Sequence, residues 1–199
     1  NLSNRLGELD AASGRLIRIF DVGVAPYDVV LVGKKLYVSN WGGRRPKPGD
    51  TTGPAGQGML VKVDPLTYIS AEGSVSVIDL ESSQVSDILV HLHPSALAVS
   101  PDRRYIVCAN AASDNLSVID TRTDNVVETI WAKPSPADLF GASSNALAFD
   151  KEGKYLYVAN GTQNAVAVIR FKPASRSSQL LGLIPVGWYP GAIVYNPRL

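Results

Sequence analysis

The feature that most constrains this chain is an internal repeat. Residues 26–40, 94–110 and 144–160 each read as an apolar strand, a short polar turn and a second apolar strand ending in asparagine. The turns are Gly33-Lys34-Lys35, Ser100-Pro101-Asp102-Arg103-Arg104 and Asp150-Lys151-Glu152-Gly153-Lys154, and the closing residues are Asn40, Asn110 and Asn160. Pro94 to Asn110 and Ser144 to Asn160 both span 16 positions. A third strand follows in each unit: Val75-Ser76-Val77-Ile78-Asp79 after a long insertion, Leu116-Ser117-Val118-Ile119-Asp120, and Val166-Ala167-Val168-Ile169-Arg170. Asn110 to Asp120 and Asn160 to Arg170 are again equal, at 10 positions each. A fourth strand closes each unit, at 85–92, 125–131 and 180–186.

A unit repeated at this spacing cannot bury its apolar faces alone and must stack on copies of itself. Four short strands per unit is the signature of a β-propeller blade. The strands are rich in Val, Ile and Tyr and alternate imperfectly, which fits sheets covered on both faces. The 17 Gly and 13 Pro suit many short strands joined by tight turns. The fold class is therefore all-β, a propeller segment. Residues 1–25 read as the end of a preceding blade, 26–93 as a blade with an insertion at 41–73, 94–143 and 144–187 as two more, and 188–199 as the start of a further one. Two strands, three blades of four and one last strand make about 3.75 blades. Inside the insertion, residues 59–63 and 67–70 are expected to form a small hairpin around the turn signal Asp64-Pro65.

The strand ends Tyr37-Val38-Ser39-Asn40, Ile106-Val107-Cys108-Ala109-Asn110 and Tyr157-Val158-Ala159-Asn160, with Ser-Val-Ile-Asp downstream, resemble the YVTN repeat family. That family forms seven-bladed, YncE-like propellers, and the resemblance covers nearly the whole chain. Less regular stretches, 37–46, 160–168 and 182–190, resemble the propeller half of bacterial proteins that fuse YncE-like repeats to an alkaline-phosphatase-superfamily phosphoesterase domain. This narrower resemblance implies a periplasmic or extracellular protein whose phosphoesterase half lies outside these residues. With seven blades implied, the segment is expected to be an open arc with apolar faces at both ends. The alternative is a four-bladed ring, its last blade built from residues 6–22 and 192–196.

Strand order locates the candidate site. In an antiparallel meander the first-to-second and third-to-fourth turns lie at one end of a blade. The second-to-third turns and the connections between blades lie at the other. The two largest insertions, 41–73 and 132–141, both fall at that second end, so Trp41, Arg44, Arg45 and Phe140 should share it. A moderate insertion at 172–179 departs to the opposite end. Insertions gathered on one face often mark the binding face of a repeat protein. Arg44 and Arg45, with Lys47 and beside Trp41, could meet an anion or a protein partner through guanidinium forks and an aromatic plate. The competing reading is a solvated loop held by Pro46, Pro48 and Pro54. Asn40, Asn110 and Asn160 could ring a central ligand, or each could bond its own turn. Trp188, in the connection after the last blade, completes the candidate set.

Other chemistry is excluded or thin. The net charge is +1, so no global field attracts nucleic acid. No apolar run is long enough to span a membrane. Cys108 is the single cysteine and sits in an apolar run, as a small buried hydrophobe does. His91 and His93 are expected on one side of an outer strand, with no third ligand beside them, so no metal site is expected. No Gly-x-Ser-x-Gly elbow or phosphate loop is present. Neither catalytic residues nor a cofactor are therefore assigned to the segment. The expected function is a binding or interaction scaffold for a small ligand or a fused domain. Two enzymatic alternatives stand beside it: the accessory half of a phosphoesterase, and a propeller lactonase.

Overall fold

A computed structural model describes residues 3–135, 137–139 and 141–198. Three four-stranded antiparallel meanders follow one another along the chain. The first has the order β3 (Pro26–Val32), β4 (Lys35–Asn40), β7 (Gly73–Asp79), β8 (Val85–Val90). The second is β9 (Pro94–Val99), β10 (Tyr105–Asn110), β11 (Asn115–Asp120), β12 (Asn125–Trp131). The third is β13 (Ser144–Phe149), β14 (Tyr155–Asn160), β15 (Ala165–Arg170), β16 (Gln179–Pro185). A two-stranded sheet of β1 (Arg5–Leu9) and β2 (Leu16–Asp21) precedes them. The architecture is that of a β-propeller.

Period-two alternation gives every blade two apolar faces, each able to pack on a neighbour. On β10, Ile106 and Cys108 pack with Tyr37, Val75, Val77 and Ile88 of the preceding blade. Tyr105, Val107 and Ala109, the intervening residues, pack with Leu156, Val158, Ala167 and Ile169 of the following one. A smaller cluster joins Phe20 and Val22 to Val38 and Ile78. The cores thus lie between blades. Polar links add register at the inner strands: the Leu97 N–H donates to Asp28 Oδ2 (2.8 Å), and Ser39 Oγ donates to the Ser95 carbonyl (2.6 Å). Ser95 Oγ in turn donates to the carbonyls of Ala109 and Ser144. The Asp that ends the third strand caps the turn that follows. Asp79 Oδ1 accepts the N–H groups of Glu81 and Ser82, and Asp120 Oδ1 accepts that of Arg122. Arg170 replaces this Asp in the third blade, and there the turn lengthens around a single 3-10 turn, Pro173–Ser175.

Three expectations need correction. The hairpin in the insertion pairs differently: β6 (Leu60–Lys62) joins β5 (Thr52–Pro54), and residue 63 makes only an isolated bridge to residue 70. Asp64 Oδ1 accepts bonds from Leu66 N, Thr67 N and Thr67 Oγ1 in an Asx turn, and residues 60–62 take their ladder partners from 52–54. Residues 188–198 form no strand. In each of the three blades the innermost strand pairs only with the second. Instead Tyr195 stacks on Tyr157 (6.0 Å, 10°) against the outer face of the third blade, so residues 192–196 do not complete a ring with β1–β2. Lastly, His91 and His93 lie in the bend after β8 and not on a strand, so they do not share a side.

Candidate functional site

A small backbone device recurs at the insertion-bearing end. The residue before each inner strand takes a left-handed conformation: Ala25 (φ 55°), His93 (φ 52°) and Ser143 (φ 51°). Tyr189, before Pro190, does the same (φ 46°). The carbonyls of the first three accept the N–H of the residue that follows the strand-ending asparagine: Trp41 to Ala25 (3.0 Å), Ala111 to His93 (2.9 Å) and Gly161 to Ser143 (3.1 Å). These bonds tie each inter-blade connection to a second-to-third turn at one end, as the parity of the strands requires. A left-handed non-glycine residue is uncommon and costs of order 1–3 kcal/mol, so its recurrence marks a rim whose side chains are set by the backbone.

At this rim the Trp41 ring lies 4.4 Å from that of His93, tilted by 37°. Trp41 is half exposed, and burial holds the His93 imidazole below its ordinary pKa. The pair borders a notch of about 200 Å³, closed by Gly42, Pro54, Val61 and Ser70. The β5–β6 hairpin forms its far wall, so the insertion builds the notch. Gly73 fixes the near side: a Cβ there would sit 2.0 Å from the His91 carbonyl oxygen and 2.5 Å from Pro94 Cδ.

The basic residues gather a little further out. Arg44, Arg45 and Lys47 line a cavity of about 390 Å³ with Asp21 and Asp87. Arg44 makes a two-pronged pair with Glu72 (Nε–Oε1 2.9 Å, Nη2–Oε2 2.9 Å), which closes the base of the insertion. Arg45 donates to the carbonyls of Val22 and Asn4 and to Asp21. Both guanidiniums therefore already hold the insertion against the blades. Asn40, Asn110 and Asn160 are fully buried on faces between blades. Asn40 Nδ2 donates to Ser74 and Ser76, and Asn110 Nδ2 to Asn115 and Ser117, all across to the third strand. Asn160 Nδ2 reaches the Ala132 carbonyl and Gln163. The asparagines sit beside residues such as Cys108 because alternation turns them toward the neighbouring blade. In the first two blades the turn is closed by the Asn main-chain carbonyl, which accepts from Gly43 and Ser113. Trp188 is 91% exposed and stands apart from Trp41, two blades along.

The second insertion rests on a buried pair that sequence reading misses. Asp114 accepts the N–H groups of Gly141 and Ala142, and Lys133 Nζ lies 3.8 Å from Asp114 Oδ2 and donates to the Asp138 carbonyl. Phe140 lies outside the described residues. His93, Ser143 and Tyr189 were also missed as a set, although the x-Pro pairs Ala25-Pro26, His93-Pro94 and Tyr189-Pro190 are a visible signal. Among the described residues, no three His, Cys, Asp or Glu side chains group to hold a metal ion. No helix among them is long and apolar enough to cross a membrane.

A propeller segment with one built-up rim is the class that these observations define. Residues 59–187 match the family described as lactonase, 7-bladed beta-propeller, and the chain belongs to that family. It is 26% identical over 197 residues to the seven-bladed beta-propeller protein Rv1057 of Mycobacterium tuberculosis, covering 95% of this chain and 43% of that protein. Hydrazine synthase of Kuenenia stuttgartiensis superposes with a TM-score of 0.64 at 17% identity, over 96% of this chain and 58% of that one. The periplasmic gluconolactonase PpgL of Pseudomonas aeruginosa does so with a TM-score of 0.56 at 20% identity, over 90% and 50%. The chain thus spans less than half the length of its mycobacterial relative. Neighbours with such different names share the fold, and the fold alone names no activity.

Proposed function

We propose that this chain carries the binding face of a propeller, and that the Trp41–His93 notch takes one ring of a small cyclic ligand, a sugar acid or its lactone. The observation that carries this is the tilted Trp41–His93 ring pair beside a cavity with room for a single ring. An indole plate suits the apolar face of such a ring, and Ser70 and the imidazole supply polar contacts at its edge. In this reading the segment acts as a scaffold, and burial keeps the His93 imidazole neutral at the edge of the notch. Lactone hydrolysis is the second reading, favoured by the family to which the chain belongs. A neutral His93 could then draw a proton from water attacking the lactone carbonyl.

Titration of the chain with glucuronate, a sugar acid that keeps its pyranose ring, followed by tryptophan fluorescence, tests the first reading. Saturable quenching that Trp41→Ala abolishes supports it; quenching that survives this substitution, or none at all, refutes it. Hydrolysis of glucono-δ-lactone, measured on the same preparation, tests the second. A rate above the buffer reaction that His93→Gln removes would make the site catalytic.

A further inference from the structure

A cavity of about 500 Å³ lies at the end opposite the insertion-bearing rim. It opens between the second and third blades, under the turns at 100–104 and 150–154 and the longer turn at 171–178. Its floor is apolar: Tyr105 and Phe171 are almost fully buried and meet edge to face at 6.0 Å. Its outer wall is fixed. Ser178 donates from N (2.8 Å) and Oγ (2.7 Å) to the two carboxylate oxygens of Glu128 on the neighbouring blade, and Ser178 Oγ accepts the Lys172 N–H. The two short turns are in close contact, since a Cβ on Gly153 would lie 3.0 Å from Pro101 Cδ. A cleft built this way exists before a ligand arrives.

The charges at its edge are unequally committed. Asp102 Oδ1 is occupied by Ser100 Oγ (2.6 Å) and the Arg104 N–H (3.1 Å). Arg104 has only a long ion pair, 3.8 Å to Asp120, and its guanidinium lies over the Tyr105 ring at the floor. Among the described residues the Lys172 ammonium forms no ion pair. Arg104 and Lys172 are thus the cations in the lining that a ligand can meet, above an aromatic floor. Glu152 also lines the cleft, and its carboxylate repels a second negative charge. We propose that this inter-blade cleft binds a hydrophobic monocarboxylate, its ring or chain on Tyr105 and Phe171 and its carboxylate on Lys172 and Arg104. The site is independent of the Trp41–His93 notch and lies at the other end of the blades.

The test is calorimetric titration with 4-phenylbutyrate and with the neutral 4-phenylbutanamide. The carboxylate should bind saturably and about tenfold more tightly than the amide, the scale of one charge-assisted hydrogen bond. Lys172→Gln should erase that preference. Arg176→Gln, on the same turn but outside the cleft, should leave it intact. Both side chains are on the surface, so neither change threatens folding. No saturable binding, equal affinity for the two compounds, or equal effects of the two substitutions would overturn the proposal.

Discussion

Single side chains in this chain divide between those that brace a blade or its interfaces and those left for contact with something else. Asn110 belongs to the first group, and Asn110→Ala strands the buried Ser117 and Asn115 that it bridges. The expected loss is about 1–3 kcal/mol, read as a lowered denaturant midpoint with unchanged slope. Ile106→Ala, in the core between blades, should cost about 2–5 kcal/mol by the same measurement. His93 belongs to the second group and adds a pH dependence. Its folded pKa is lowered by burial, so the unfolded chain binds the proton more tightly. Stability is therefore full above about 6.5, the ordinary histidine value, and falls as pH drops below it toward the folded value. Thermal melts between pH 7.5 and 5.5 should show this fall, and His93→Gln should flatten it. At this scale the sequence was half legible. Trp41 and the asparagines stood out by type and position. The left-handed rim residues did not, because backbone conformation there depends on a bond to a residue distant in the chain. Arg44 and Arg45 looked free in sequence because their acceptors, Glu72 and the turn at Asn4 and Val22, come from elsewhere.

Among the elements, the blade strands were readable because each keeps the same spacing and each apolar position has a neighbouring blade to meet. The insertion was not, since its short strands pair across residues 55–59, while the Asp64-Pro65 turn signal points to a different hairpin. Its closure depends on Glu72, whose pKa is held below the usual carboxylate range, chiefly by the Arg44 hydrogen bonds. A depressed carboxylate contributes stability above its unfolded pKa, about 4.3, and loses it as pH falls through the lower folded value. Hydrogen exchange of the β5–β6 amides should therefore accelerate below about pH 4 in the native chain. Glu72→Gln should make it fast already at pH 7, with the blade amides unchanged. Gly73 links the same insertion to the notch. Gly73→Ala must push back the backbone that carries His93, so it should alter the Trp41 fluorescence maximum while leaving far-ultraviolet circular dichroism as it was.

For the whole molecule, stability resides in the interfaces between blades, and the two end faces have none. Ile17 and Ile19 lie on the side of β2 away from Phe20 and are about half exposed, at 50% and 52%. Leu9 of β1 is 59% exposed, and at the far end Ile184 is 50% exposed despite the residues folded back beside Tyr157. Inner-strand residues Tyr27, Val29 and Leu31 of the first blade are open as well. Exposed apolar surface on this scale favours association, and stacked repeats are stable only as far as their nearest neighbours reach. The account therefore rests on an open arc of blades and not a closed small ring. Sedimentation velocity of the purified 199-residue chain over a range of concentrations tests it most directly. The open arc predicts a weight-average sedimentation coefficient that climbs with concentration as apolar end faces meet. A compact, monodisperse monomer at every concentration, unfolding in one cooperative step, would contradict it.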